Sequence, residues 1–395
     1  MKINVGVIFG GESVEHEVSI ISALQAMKAI DDSLYNVIPL YVSKKRQLYY
    51  SSMLMDIKSY KDLTNLMNKA DEVYLINEGN KASLRPTSKK LFNKQYPIAI
   101  DVIIPIMHGT NGEDGTIQGY LEMMGLPYAG CDVIAAGVGQ DKVIMKYVLA
   151  GNGLPVCDWF WFYGHEYTDQ QDKIKEQALA LGYPLIIKPA CLGSSIGIQF
   201  VHDPAELTSA INEASKYDRK LVVEKVVNDL MEINCSVLGD CYSCQASSLE
   251  QVLKNEDILS FSDKYIGKGK GSGSSKGMAS TSRIYPAMID EVMTSQIKEL
   301  AIKTFMALGA SGVCRIDFMV DRSTNDIYVN EINTIPGSLA FYLWQDCGVD
   351  FTELMNKLIK QAIDRQRRRE KMIFSYESNI LAGYSEGAKG KGRTK

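Results

Sequence analysis

Two short segments near the C-terminus constrain the fold more than any other part of the chain. They are Arg315-Ile-Asp317, inside a run of apolar and β-branched residues at 313–320, and Glu331-Ile-Asn333, at the end of another at 327–332. Such runs read as strands, and in a strand residues two apart project from the same face. Arg315 and Asp317 therefore share a face, as do Glu331 and Asn333. Pairing the two strands would gather three oxygen donors and one guanidinium on one side of a sheet. Hard oxygen donors in that number suit Mg²⁺, with Mn²⁺ as the alternative, completed by water and nucleotide phosphates. A salt bridge would explain Arg315 and Asp317 but leaves Glu331, Asn333 and the turn Thr334-Ile-Pro336-Gly337 without a reason. That turn can present a backbone N–H to a developing oxyanion beside the guanidinium.

A chain of 395 residues exceeds one ordinary core, so two or three domains are expected. The opening third alternates strand and helix signals. Residues 4–9 are apolar, Gly10-Gly11 breaks the run, 19–30 have helical periodicity, and 37–42 and 102–107 read as further strands. This predicts a parallel sheet with crossover helices, a Rossmann-like α/β unit over 1–127, with 54–96 as a polar, irregular elaboration. From residue 128 the pattern changes to α+β. A helix at 141–150, strands at 183–188 and 198–201 and a glycine-serine turn at 193–197 form a central lobe, 128–220. Strands at 221–224, 313–320 and 327–332 with a helix at 291–307 form a C-terminal lobe, 221–371. Residues 372–395 are small and polar and read as a disordered tail.

Between the C-terminal strands lies GKGKGSGSSKG, residues 267–277, whose composition suits either a surface linker or a lid that orders over a nucleotide. The chain has neither a G-x-x-x-x-G-K-[ST] loop nor a G-x-G-x-x-G after a strand, so Walker and dinucleotide sites are unsupported. A net charge of −4 gives no field for holding nucleic acid, and 46% hydrophobic with 23% charged residues is a soluble composition. There is no apolar run of about 18 residues to span a membrane, and the N-terminus lacks a signal-peptide pattern. A cytoplasmic protein without membrane partners is expected. Cys241 and Cys244 have no companion pair for a metal and read as buried thiols of a strand or hairpin. The arginines at 365 and 367–369 suit the negative end of a solvated helix.

Four blocks now stand in order along the chain: G-G-E-S-V-E-H-E-V-S at 10–19, H-G-T-N-G-E-D-G-T-I-Q-G at 108–119, I-I-K-P-A-C-L-G-S-S-I-G at 186–197, and R-I-D with N-E-I-N-T-I-P-G at 315–337. In these blocks the sequence resembles the D-alanine:D-alanine ligase family of ATP-grasp enzymes, over nearly its whole length. The resemblance implies a Rossmann-like N-terminal domain followed by a two-lobed ATP-grasp fold. It also implies ATP and Mg²⁺ as cofactors, small D-amino acids as substrates, and a homodimer.

The resemblance further implies roles, position by position. Glu15 would hold the first substrate's ammonium with His108 near its carboxylate, and Ser194 would link Glu15 to Tyr265. Lys142, Lys188, Ser195 and Lys264 would contact ATP, with Lys264 at the edge of the Gly-rich stretch reaching the terminal phosphate, which favours the lid. Glu224 and Glu232 would take adenine and ribose. Asp317, Glu331 and Asn333 would hold the metal. Arg315 and the N–H of Gly337 would stabilise the oxyanion, and Ser338, Tyr342 and Leu343 would surround the second substrate.

The chain departs from the family pattern in two places. Tyr342 stands where a serine is expected near the second substrate's carboxylate, which leaves D-serine open as the partner of D-alanine. The spacing from Glu224 to Glu232 is one residue longer than usual. The competing expectations are an ATP-grasp ligase for other amino acids and a nucleotide-binding protein without catalysis.

Overall fold

The computed structural model describes residues 2–79, 81–88, 95–253, 283–376 and 379. Lys264, Tyr265, the Gly-rich stretch 267–277 and nearly all of the tail lie outside them.

The first 106 residues build one sheet from β1 (Ile3–Gly10), β2 (Tyr35–Val42), β3 (Leu48–Tyr50), β4 (Asp71–Asn77), β5 (Ala82–Pro86), β6 (Ile98–Ile100) and β7 (Val102–Ile106), in the order β6-β5-β4-β3-β2-β1-β7. Only β2, β1 and β7 run parallel, with the helix His16–Ala29 crossing from β1 to β2. The expected Rossmann-like unit is thus the core of a mixed sheet. The stretch read as irregular, 54–96, instead supplies β4 and β5, which extend the sheet antiparallel. Val73 and Leu75 are buried while Glu72 and Tyr74 are exposed, an alternation too short to stand out among lysines and asparagines. Gly10 ends β1 at φ +91°, and a Cβ there would lie 2.4 Å from the carbonyl oxygen of Val42. Glycine is therefore required where the chain turns toward the cleft.

A second, fully antiparallel sheet contains β8 (Trp159–Tyr163), β9 (Leu185–Pro189), β10 (Gln199–Val201) and β11 (Lys220–Lys225) in the order β10-β9-β11-β8. The strand β11, assigned to the C-terminal lobe from sequence, closes this central sheet. Its apolar run carries no mark of which sheet it joins, and pairing with β8 and β9 decides that. A third antiparallel sheet holds β12 (Leu230–Gly239), β13 (Cys244–Val252), β14 (Arg283–Ile284), β15 (Gly312–Asp321) and β16 (Asp326–Asn333) in the order β14-β13-β12-β15-β16.

Separate apolar cores hold these layers. The helix Glu291–Ala307, N-capped by Asp290, buries Ile297, Ala301 and Phe305 under the third sheet. Residues 131–154, placed in the central lobe by sequence, pack into that same core through Ala135, Met145 and Leu149. The helix Phe351–Arg369 packs Leu354, Leu358 and Ile359 with β1, β7 and the fully buried Trp344, so the end of the chain completes the core of its beginning.

Three arginines of that last helix are tethers, while Arg367 is a solvated charge paired with Asp364 of its own helix. Arg365 donates to the carbonyl oxygens of Gly130 (2.7 Å) and Tyr128 (2.5 Å), and Arg368 and Arg369 pair with Asp240 and Glu122 at 2.9 and 2.7 Å. Cys241 is exposed and Cys244 half-buried, so the buried-thiol expectation fails there. Cys241 lies in the β12–β13 turn itself, whereas Cys244 opens β13 opposite Gly239 and packs against the core of the third sheet. Among the described residues no helix is long and apolar enough to cross a membrane.

Candidate active site

One rung of the third sheet carries polar residues across four strands. Glu250 on β13 pairs with Asn234 on β12, Asn234 with Asp317 on β15, and Asp317 with Glu331 on β16. Cross-strand partners share a face, so the rung presents one polar surface. Arg315, two residues before Asp317, lies on that face opposite Asn333. Its Nε and Nη2 donate to the two oxygens of Asp317 at 2.6 and 2.8 Å, and Asn333 Nδ2 donates to Asp317 Oδ2 at 3.0 Å. The four side chains expected to converge do so, and the salt bridge is one component of the cluster.

Opposite this face stand lysines from the central sheet and from the helix Lys142–Gly151. Asp141 caps that helix, accepting from the N–H groups of Val143 and Ile144 at 3.0 and 3.2 Å, which sets Lys142 on its first turn. Lys142 Nζ lies 3.2 Å from Glu331 and donates to the carbonyl oxygen of Leu192 at 2.8 Å. Glu224, on β11, is buried between Lys188 at 2.8 Å and Lys146 at 3.2 Å. Burial opposes its ionisation, but the two ammonium groups outweigh burial and hold the carboxyl down to about 2. Both carboxylate oxygens of the residue expected to take the adenine or ribose are thus engaged by lysines. Lys188 also donates to Asn330 Oδ1 at 3.1 Å.

The third wall comes from the N-terminal sheet. Ser194 Oγ donates to Glu15 Oε1, from a turn in which Ser194 and Ser195 both adopt positive φ. Such backbone costs about 1–2 kcal/mol per residue and persists where the surroundings enforce it. His108 Nε2 lies 2.9 Å from Ser22 Oγ, which also accepts from the N–H of Ser338 at 2.9 Å. Burial pushes the imidazole below its ordinary range despite nearby Glu15, which favours the neutral form of His108.

Two groups were missed from the sequence. Glu113 accepts from the N–H groups of Gly109 and Ile335, both at 2.9 Å, and so ties the second motif block to the last. Burial and then the charge of Glu15 push its carboxyl up to about 8. A pair of carboxylates in a glycine-rich run, G-E-D-G, was its signal. Lys146, one helical turn after Lys142, was legible as a same-face neighbour.

These walls enclose a cleft of about 250 Å³. Glu15, His108, Lys142, Lys188, Ser194 and Ser195 line it, and so do Glu224, Glu232, Arg315, Asp317, Glu331, Asn333 and Gly337. Three of the residues expected around a second substrate do not line it. Ser338 is buried, its hydroxyl donating to Gln25, Leu343 is wholly buried, and Tyr342 bonds to Glu250 and Arg283. Ser338 to Ala340 adopt positive φ within the segment Gly337–Cys347, which buries its own Leu343 and Trp344 completely. A divalent cation fits the donor set: two carboxylates and an amide on one face all offer oxygen atoms.

Comparison with known proteins now decides the family. A model described as D-ala D-ala ligase C-terminus matches residues 148–360, and its counterpart, D-ala D-ala ligase N-terminus, matches residues 4–131. The chain belongs to the D-alanine:D-alanine ligase family. Among relatives of the family, the D-alanine–D-alanine ligase of Thermosipho melanesiensis is 40% identical over 382 residues, covering 96% of this chain and 98% of that one. The one from Acetivibrio thermocellus is 38% identical over 386 residues, covering 92% and 96%. The structure is also similar to the D-alanine-D-alanine ligase of Coxiella burnetii, with TM-score 0.76 at 27% identity over 94% of this chain and 96% of that one. A D-Ala:D-Ser ligase from Enterococcus faecalis gives TM-score 0.74 at 26% identity over 92% and 100%. Membership in the D-alanine:D-alanine ligase family makes the chain an ATP-dependent ligase of ATP-grasp type, and the mixed sheet followed by two antiparallel sheets is that family's architecture.

Proposed function

We propose that the chain joins two molecules of D-alanine into a dipeptide at the cost of one ATP, a product suited to peptidoglycan precursors, and that it works as a cytoplasmic homodimer. The observation that carries this reading is that Glu15, bonded to Ser194, lines the same cleft as Arg315, Asp317 and Glu331. One wall offers a carboxylate for an ammonium, and the other offers oxygen donors and a guanidinium for phosphate chemistry.

In this reading Glu15 holds the first D-alanine by its ammonium, and neutral His108 lies beside its carboxylate without adding charge. That carboxylate attacks the γ-phosphorus of ATP, the bond to ADP breaks, and an acyl phosphate forms. Lys142 and Lys188 neutralise the phosphates as compact ammonium charges, Ser195 contacts them, and Glu224 and Glu232 lie toward the nucleoside. Asp317, Glu331 and Asn333 would hold Mg²⁺ or Mn²⁺, which supplies further charge neutralisation at the phosphates when bound. The amine of the second D-alanine then attacks the acyl carbon and loses a proton. Arg315 and the N–H of Gly337 stabilise the oxyanion, and phosphate leaves as the amide forms. Because an acyl phosphate hydrolyses readily, exclusion of water is needed. Lys264 and Tyr265, beside the Gly-rich stretch, are placed by resemblance to help.

The test is direct. Purified protein with ATP, Mg²⁺ and D-alanine should yield ADP, phosphate and D-alanyl-D-alanine by mass spectrometry. A mixture of D-alanine, D-serine and D-lactate reads the second substrate, on which Tyr342 bears. No condensed product from any of them would overturn the reading.

A further inference from the structure

Two arginines line the cleft among the described residues, Arg315 and Arg283, and they are committed very differently. The fork of Arg315 is filled by Asp317 at 2.6 and 2.8 Å. Arg283, on the edge strand β14, hydrogen-bonds among the described residues through Nη1, which donates to Tyr342 Oη at 2.9 Å and meets Glu250 Oε2 at 3.4 Å, and its guanidinium lies 5.5 Å over the Tyr342 ring. Its Nε is buried and has no hydrogen-bond partner among the described residues. A buried guanidinium N–H left unpaired is costly, and an arginine fork pairs most strongly with a planar carboxylate.

The neighbours of Arg283 are fixed. Glu250 Oε1 accepts from Asn234 Nδ2 and from Tyr342 Oη, both at 2.8 Å, and Asn234 sits on the rung that leads to Asp317. Glu250 and Tyr342 also lie within electrostatic reach of Arg315. The cluster is therefore next to the guanidinium assigned to the oxyanion. Tyr342 follows Gly337 by five residues, but its hydroxyl is spent on Glu250 and Arg283 and offers no free donor. Ser338 and Leu343 are turned away from the cleft.

We propose that Arg283, oriented by Glu250 and Tyr342, binds the carboxylate of the second amino acid and so determines which amine is ligated. The proposal rests on the ligation reading above. The recognised class is a small amino acid with a free carboxylate, and an acceptor without that carboxylate is discriminated against.

The experiment compares D-alanine with D-alaninamide as acceptor. The amide has the attacking amine but no carboxylate to phosphorylate, so it can serve only as acceptor. In the wild type the two-site dependence of rate on D-alanine gives a KM for each site, and D-alaninamide should be the weaker acceptor. Arg283→Gln should raise the second-site KM roughly 10- to 100-fold, the effect of a lost charged hydrogen bond, while the first-site KM and the use of D-alaninamide stay unchanged. Arg283→Lys, which keeps the charge beside Glu250, should show the same selective loss to a smaller degree and serves if the glutamine variant does not fold. Equal loss for both acceptors, or no change in either, would overturn the proposal while leaving ligation intact. A wild type that forms no dipeptide would instead remove the ligation reading, and this assignment with it.

Discussion

Lys146 and Glu224 form an ion pair of 3.2 Å between side chains that are 0% and 2% exposed, with Lys188 closing the other side of the carboxylate at 2.8 Å. Removing one partner of a buried pair costs up to about 3–5 kcal/mol, and less where a second cation remains, as Lys188 does here. Lys146→Met is expected to lower unfolding stability by up to that amount in urea titrations at neutral pH. Glu224 titrates lower in the folded state than in the unfolded chain. It therefore contributes stability above the ordinary carboxyl range, near 4.5, which is lost as pH falls toward about 2. With Lys146 gone, acid unfolding should begin at higher pH. An unchanged acid midpoint would show that Lys188 alone sets the charge of Glu224.

Glu113 behaves oppositely. Its folded carboxyl is pushed up to about 8 from 4.5, so the folded state holds the extra proton. That contribution is complete below about 4.5 and declines as pH rises through about 8. Glu113→Gln should flatten the fall in stability across this window. It should also cost about 1–3 kcal/mol throughout, because an amide nitrogen cannot accept from the Gly109 or Ile335 N–H. Denaturant midpoints measured across the window check both effects.

Glu331→Gln keeps shape and removes a charge from the proposed cation site. Turnover should fall by more than about 100-fold, at least the loss seen for outer-shell partners of metal ligands, with little change in melting temperature. Phosphate release from ATP measures it, and a near-normal rate would move the cation elsewhere.

Ser194→Ala removes the hydroxyl that donates to Glu15. A hydrogen bond to a charged group contributes about 1.5–3 kcal/mol, so kcat/KM for the first D-alanine should drop roughly 10- to 100-fold. Steady-state kinetics at saturating ATP tests this, and an unaltered value would mean that Glu15 is positioned without the serine.

Much of the site was legible because its residues lie in short blocks whose local geometry is encoded locally. Period-two spacing put Arg315 with Asp317 on one face, and Asp141 marked the helix start that aims Lys142. Ser338 and Leu343 do not line the cleft, and three successive residues at positive φ follow Gly337, a backbone that nothing in G-S-L-A-F-Y announces. The central boundary drifted for a similar reason. An apolar strand such as β11 suits either neighbouring sheet until pairing chooses one.

By itself the sequence determined the family, through four ordered motif blocks, and the kind of chemistry, through oxygen donors and a guanidinium at strand spacing. Only the tertiary structure decided which charges face one another: Glu113 meets Ile335 across 222 residues, Lys188 meets Asn330 across 142, and Arg283 meets Tyr342 across 59. The reason is physical. Alternation along a strand or helix says which way a side chain points, but its charge state and partners depend on what other segments bring opposite it and on how much water they exclude.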